Sequence, residues 1–170
     1  SHPPTRSRHP PPSLAPAPDA PVQPVLRPGI GTLRGVHLRQ KIEAEDDERH
    51  LIVLAGGELT IERCELEARG GSCVHASGLS DYDKERLKLG PDDAPVPPLL
   101  LLRGCRLTSK RHNGVKVEWG AGGEVVDCEV TAVRMTAVMV CDAADVAVRR
   151  NHIHDNAGAG VFLYGGSGVH

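Results

Sequence analysis

The chain has 170 residues, a formal charge of −2 and 39% hydrophobic residues, yet only one Phe, one Trp and two Tyr. That length is one domain's worth, no apolar run is long enough to span a bilayer, and so small a charge argues against the basic footprint of a nucleic-acid binder. A layered globule relies on aromatics for core volume, whereas a narrow core of stacked Val, Leu, Ile and Cys does not. Five cysteines, an odd number, with no secretory leader in view, are read as reduced thiols in an intracellular setting, cytoplasmic or nuclear.

Residues 1–28 hold most of the 14 prolines, interspersed with Ser, Ala and Arg. Such a segment lacks the apolar content to offset the entropy of ordering and is read as a disordered linker. Residues 29–170 follow a repeat. Val36-His37-Leu38 opens the first coil, and after the acidic stretch Glu43–Glu48, Leu51 and Val53 are expected to point inward. Cys64-Glu65-Leu66 opens the second coil, with Leu59 and Ile61 upstream and Val74 and Ala76 downstream. The next start, Cys105, comes 41 residues later, which is one 23-residue step plus a surplus of 18. The surplus falls within 79–98, a charged, proline-closed insertion with room for a helical turn at Asp81–Lys88.

The starts Cys105-Arg106-Leu107, Cys128-Glu129-Val130 and Asn151-His152-Ile153 then follow at steps of 23. Ten residues after each stands a valine (Val115, Val138, Val161), and two further on another aliphatic (Val117, Val140, Leu163). The upstream slots hold Leu100 and Leu102, Gly123 and Val125, then Val146 and Val148. Val169 stands 23 residues after Val146 and begins another coil, so the chain is expected to belong to a longer one.

A step in the low twenties with three short strand patterns predicts an all-β fold, a parallel β-helix (solenoid) of four to five coils. Like strands stack about 4.8 Å apart, and alternate residues point inward. An antiparallel sandwich would need turn signals but no fixed register. Held to that register, Cys64, Cys105, Cys128 and Asn151 form one inward ladder. They lack chelate spacing and are read as packing. The outward columns are Glu65, Arg106, Glu129, His152 and Glu67, Thr108, Thr131, His154. His152, His154 and Asp155 suggest a metal, but spacing fixes no third ligand, so neither metal nor cofactor is expected. No column stacks carboxylates as sugar hydrolysis requires. Glu124 and Asp127 come nearest, on opposite sides of their strand, so no catalytic set is assigned.

One outer column departs from a plain solvated surface. On the downstream strands its slots read Lys116 and Glu118, Met139 and Cys141, Phe162 and Tyr164, with Trp119 just past its strand. An apolar stripe on an outer sheet marks a contact site, and Met with aromatics suits a protein partner. The insertion leaves the coil at Gly78, after the same strand, and would form a lip beside the stripe. Lys116, Glu118, Trp119, Met139, Phe162 and Tyr164 are the candidate partner-binding residues.

The last coil, Arg149-Arg150-Asn151-His152-Ile153-His154-Asp155-Asn156 followed by Gly158-Ala159-Gly160-Val161, resembles the N-x-I-x-x-N-x-x-x-G-[VI] unit of right-handed parallel β-helix repeats. That superfamily includes pectate-lyase-like enzymes, carbohydrate-binding and sugar-hydrolase repeats, periplasmic copper-maturation proteins and β-helical F-box proteins. The run Arg-Arg-Asn-x-Ile-His-Asp before a Gly-Gly corner is most similar to the F-box group. The resemblance implies a right-handed coil and a protein partner or substrate, presented for ubiquitination, with the ligase-docking part outside this chain. It equally implies two alternatives, a secreted or periplasmic carbohydrate-active β-helix and a structural spacer. Neither nucleic acid nor membrane is an expected partner.

Overall fold

The computed structural model describes residues 29–41, 49–90 and 95–170. The proline-rich segment 1–28 and its linker reading lie outside the described residues, as does the acidic stretch Glu43–Glu48. The first coil comprises β1 (Ile30–Arg34), β2 (His37–Arg39) and β3 (Ile52–Leu54), and the second β4 (Glu58–Glu62), β5 (Glu65–Ala68) and β6 (Val74–Ser77). The insertion follows with α1 (Asp81–Arg86). The third coil is β7 (Leu99–Arg103), β8 (Arg106–Ser109) and β9 (Val115–Glu118), the fourth β10 (Gly122–Val126), β11 (Glu129–Thr131) and β12 (Val138–Cys141). The fifth is β13 (Asp145–Arg149), β14 (His152–His154) and β15 (Val161–Tyr164), and β16 (Gly168–Val169) opens a sixth.

Every strand pairs in parallel with its counterpart one coil away, giving three stacked sheets. The upstream sheet runs β1-β4-β7-β10-β13-β16, the motif sheet β2-β5-β8-β11-β14, and the downstream sheet β3-β6-β9-β12-β15. Among the described residues no helix is long and apolar enough to cross a membrane. Insertion helix α1 begins at Ser80, whose hydroxyl accepts from the backbone N–H of Asp83 at 3.1 Å, and acidic Asp81 and Asp83 occupy its first turn. Both features stabilise a helix N-terminus.

The interior is a column of aliphatic layers. Ile61, Leu66, Leu102, Leu107, Val117, Val130 and Val140 are wholly buried, in the slots the 23-residue register assigns to the inside. One slot departs from the sequence reading. Ile52 and Leu54, not Leu51 and Val53, align with Val74 and Ala76. The β2–β3 connection is one residue longer than the repeat count assumed, and a slip of one exchanges the two faces of a strand. Gly123 occupies an inward slot because its φ of 152° lies outside the range side chains favour and a Cβ there would collide with the Leu100 carbonyl.

The corner between upstream and motif sheets has the same construction in every coil. One residue, Gly35, Arg63, Gly104, Asp127 or Arg150, sits at φ between 51° and 63°, and the chain turns sharply there. The next residue points inward as the ladder Val36, Cys64, Cys105, Cys128, Asn151. Three of these side chains accept the backbone N–H one coil below. Cys105 Sγ serves Cys64 N at 3.4 Å, Cys128 Sγ serves Cys105 N at 3.4 Å, and Asn151 Oδ1 serves Cys128 N at 2.8 Å. Asn151 Nδ2 then donates to the Val125 carbonyl at 2.7 Å. The ladder therefore satisfies amides that strand pairing leaves open where two sheets diverge. All five cysteines are free and buried. Burial pushes the Cys73 thiol up to about 12, far from the thiolate state that metal binding or redox chemistry needs.

Candidate recognition surface

The outer positions of the downstream sheet align as the register requires. His75 lies beside Lys116, Lys116 beside Met139 and Met139 beside Phe162, while Ser77 lies beside Glu118 and Cys141 beside Tyr164. Exposure differs along these columns. Phe162 and Tyr164 are 45% and 46% exposed, with ring centroids 6.0 Å apart. Val161 and Leu163 are exposed as well, because among the described residues β15 has a stacked neighbour only on its β12 side. Lys116, Trp119 and Met139 are half-buried. Glu118 and Cys141, expected to face solvent, are buried at 8% and 0%. Glu118 lies between His75 and Lys116, and Cys141 Sγ sits 3.8 Å from Glu118 Oε2. The exposed apolar stripe is thus confined to the last coil.

Toward the first coils the same face becomes a polar knot. His75 Nε2 lies 2.6 Å from Glu118 Oε1, and Lys116 Nζ lies 2.6 Å from Glu118 Oε2. The His50 ring tilts against His75 at 4.3 Å, and His112 meets His50 edge-on at 6.5 Å. Burial works to raise the Glu118 carboxyl, but the hydrogen bonds to His75 and Lys116 outweigh it and hold the group near about 2. Burial, reinforced by His75, His112 and Lys116, pushes His50 down to about 4. His50 Nδ1 accepts the Ser72 amide at 2.9 Å, which requires an unprotonated nitrogen there. Asn113 Nδ2 approaches Met139 Sδ at 3.6 Å and links the knot to the stripe.

Beside this face the insertion builds a cleft of about 520 Å³. Leu79, Asp81, Lys84 and Pro95–Pro97 form one wall, and the coil corners Trp119, Asp142 and Gly165 form the other. Those corners are one column at the 23-residue step, and Trp119 and Asp142 both adopt positive φ, 55° and 53°. The insertion leaves the coil at Gly78, where a Cβ would collide with the Trp119 carbonyl, so glycine lets the two backbones touch. Trp119 and Tyr164 bring the stripe to the rim of the cleft, since Tyr164 Oη lies 3.5 Å from Asp142 Oδ2. Asp81, Lys84 and Asp142 escape a reading by strand register because they sit on a helix and in a corner. His75 was legible as the register neighbour of Lys116, but His50 and His112 precede their strands and carry no such signal.

The other faces are dominated by ion pairs. Glu124 accepts from Arg103 at 2.9 Å, and Asp127 receives both arms of Arg150 at 2.7 and 2.8 Å. The two carboxylates nearest to a hydrolase pair are therefore each engaged by a guanidinium. On the motif sheet Arg106 Nε lies 3.2 Å from Glu129 Oε2, and His154 lies between Glu129 and Asp155.

Residues 99–170 match the family model described as "Right handed beta helix region". Comparison with curated proteins and with solved structures returns no significant match. The matched segment contains the three coils from β7 to β15, and the same three sheets continue back to Ile30. That match and that continuity make the described chain a right-handed parallel β-helix in its architecture.

Proposed function

We propose that this β-helix is a protein-recognition module whose contact surface is the cleft beneath the insertion and the adjoining edge of the downstream sheet. The observation that supports this reading is the cleft itself, about 520 Å³, with Trp119 in its wall, Tyr164 reaching its Asp142 and Phe162 beside Tyr164. Loops this long in a compact repeat are commonly functional, and sites of partly buried aromatics flanked by polar groups suit protein anchors. The partner is an extended segment that places an apolar side chain between Trp119 and Pro97 and a basic residue toward Asp81 and Asp142. Trp119, Met139, Phe162 and Tyr164 make the contacts, and the Lys116–Glu118 pair holds the strand beneath them. In the finer version suggested by the wording of the last coil, the bound protein is a ubiquitination substrate and other parts of the polypeptide carry the ligase contacts.

The test compares proteins retained by the chain with those retained by Met139→Ala plus Phe162→Ala, and by Trp119→Ala, at matched thermal midpoints. Arg106→Ala on the motif sheet serves as the control. Retention of the same partners by both cleft variants would sink the reading. A second reading, carbohydrate binding, is favoured by one feature, a cleft lined by Trp119 together with the carboxylates of Asp81 and Asp142. It predicts retardation of the wild-type chain, but not Trp119→Ala, in gels containing neutral or acidic polysaccharide.

A further inference from the structure

The sequence offers His152 and His154 without a third ligand, and the fold supplies one. Glu129 stands in β11 directly across from His152 in β14, and alternation puts both histidines on the same outer face. Their rings stack with centroids 4.0 Å apart and planes 25° apart. One donor atom from each of Glu129, His152 and His154 can be chosen so that all lie within 4.8 Å of one another. We propose that these three residues bind one divalent transition-metal ion of borderline softness, zinc being the representative. Two imidazoles and one carboxylate, with a fourth position open to water or a partner's side chain, form an accepted donor set for such an ion.

The surroundings favour this set over two other clusters. His154 Nδ1 lies 2.8 Å from Asp155 Oδ2, while Nε2 faces Glu129 Oε1 at 3.2 Å. Metal binding would release the proton that Nε2 shares with Glu129 and keep the one on Nδ1, where Asp155 accepts it. A carboxylate that orients a ligating histidine through its other nitrogen is a recurrent support in metal sites. Arg106 occupies Glu129 Oε2 at 3.2 Å and leaves Oε1 for the metal. In the His37, Glu65 and Glu67 cluster there is one imidazole rather than two. In the Glu118, Cys141 and Asp142 cluster the Lys116 ammonium lies 2.6 Å from Glu118 and opposes a cation, and burial pushes the Cys141 thiol up to about 11.

All three ligands project from the outer face of paired strands, His152 exposed and Glu129 and His154 half-buried. The ion would tie two successive coils together across the motif sheet, on a different face from the cleft. Its failure therefore leaves the recognition reading untouched.

The experiment is a calorimetric titration of the chelator-stripped full chain with zinc chloride, alongside its thermal midpoint with and without zinc. The expected result is one saturable site and a raised midpoint. Glu129→Gln and His152→Ala should each weaken that site at least 10-fold, and Asp155→Asn should weaken it by a smaller factor within the roughly 10–100-fold range of outer-shell changes. His37→Ala should change neither the stoichiometry nor the affinity of this site. Unaltered zinc affinity in both Glu129→Gln and His152→Ala overturns the proposal, as does the lack of saturable binding in the wild type. Histidine ring proton resonances give an independent readout, since those lost in His152→Ala and in a folded His154→Gln must be the ones that zinc shifts.

Discussion

Glu118→Gln is the most informative single change to the polar knot. The carboxylate is 8% exposed and takes His75 and Lys116 at 2.6 Å on separate oxygens. Glutamine keeps the shape and can serve one partner, but it removes the charge that both partners face. The folded-state value of about 2 lies below the ordinary 4.5, and a gap of that size corresponds to about 3 kcal/mol through linkage. Because Lys116 remains partly in water, the expected loss at pH 7 is about 2 kcal/mol. The sign is fixed by the depressed carboxyl. Its contribution is fully present above pH 4.5 and disappears as pH falls from 4.5 toward 2. The assay is urea unfolding followed through Trp119, the chain's sole tryptophan and the next residue along. The wild type should exceed the variant at pH 7 and pH 5.5, and the gap should narrow at pH 4 and below. A gap that stays constant down to pH 3 would show that packing, not charge, accounts for the loss and would refute the argument.

Three further outcomes follow from the same geometry. Leu107→Ala empties a wholly buried layer of a core too narrow to collapse around it, and should cost about 3 kcal/mol in urea unfolding. Asn151→Ala strips the Cys128 amide of its acceptor and should cost about 1–2 kcal/mol, with Asn151→Cys recovering part of it because the three coils below have cysteine in that slot. His50, held down to about 4 from 6.5, is neutral when folded. The unfolded chain takes up that proton first, so stability should fall as pH drops from 6.5 to 4. The loss is about 2 kcal/mol after allowance for partial exposure, and His50→Gln should flatten that part of the stability curve.

The inside of the coil was legible in the sequence almost residue by residue from Cys64 onward, because a fixed step converts chain position directly into layer and face. Where the step was interrupted, so was the inference. The surplus before His50 moved Ile52 and Leu54 into slots expected for Leu51 and Val53, since turn length has no periodic signature. The register placed Glu118 and Cys141 on the outer side of their strands, but being on the outer side is not the same as being exposed. Neighbouring side chains cover both, and alternation says nothing about what lies above a sheet. The cleft was half legible. The insertion's exit beside the stripe followed from Gly78, whereas Asp81, Lys84 and Asp142 come together only through the packing of a helix against corner residues. Glu129 reaches the histidine pair for a reason that was present in the register, because it stands one step before His152.

Of the three outer faces, the account assigns recognition to the downstream one with its cleft, and crosslinking tests that assignment most directly. A photoreactive phenylalanine placed at Phe162, at Arg106 on the motif sheet or at Thr60 on the upstream sheet samples each face in turn. A discrete protein adduct is expected from position 162, lost when Trp119→Ala is added, and none from positions 106 and 60. Adducts of equal yield from all three positions, or a discrete adduct from 106 or 60 alone, would contradict it.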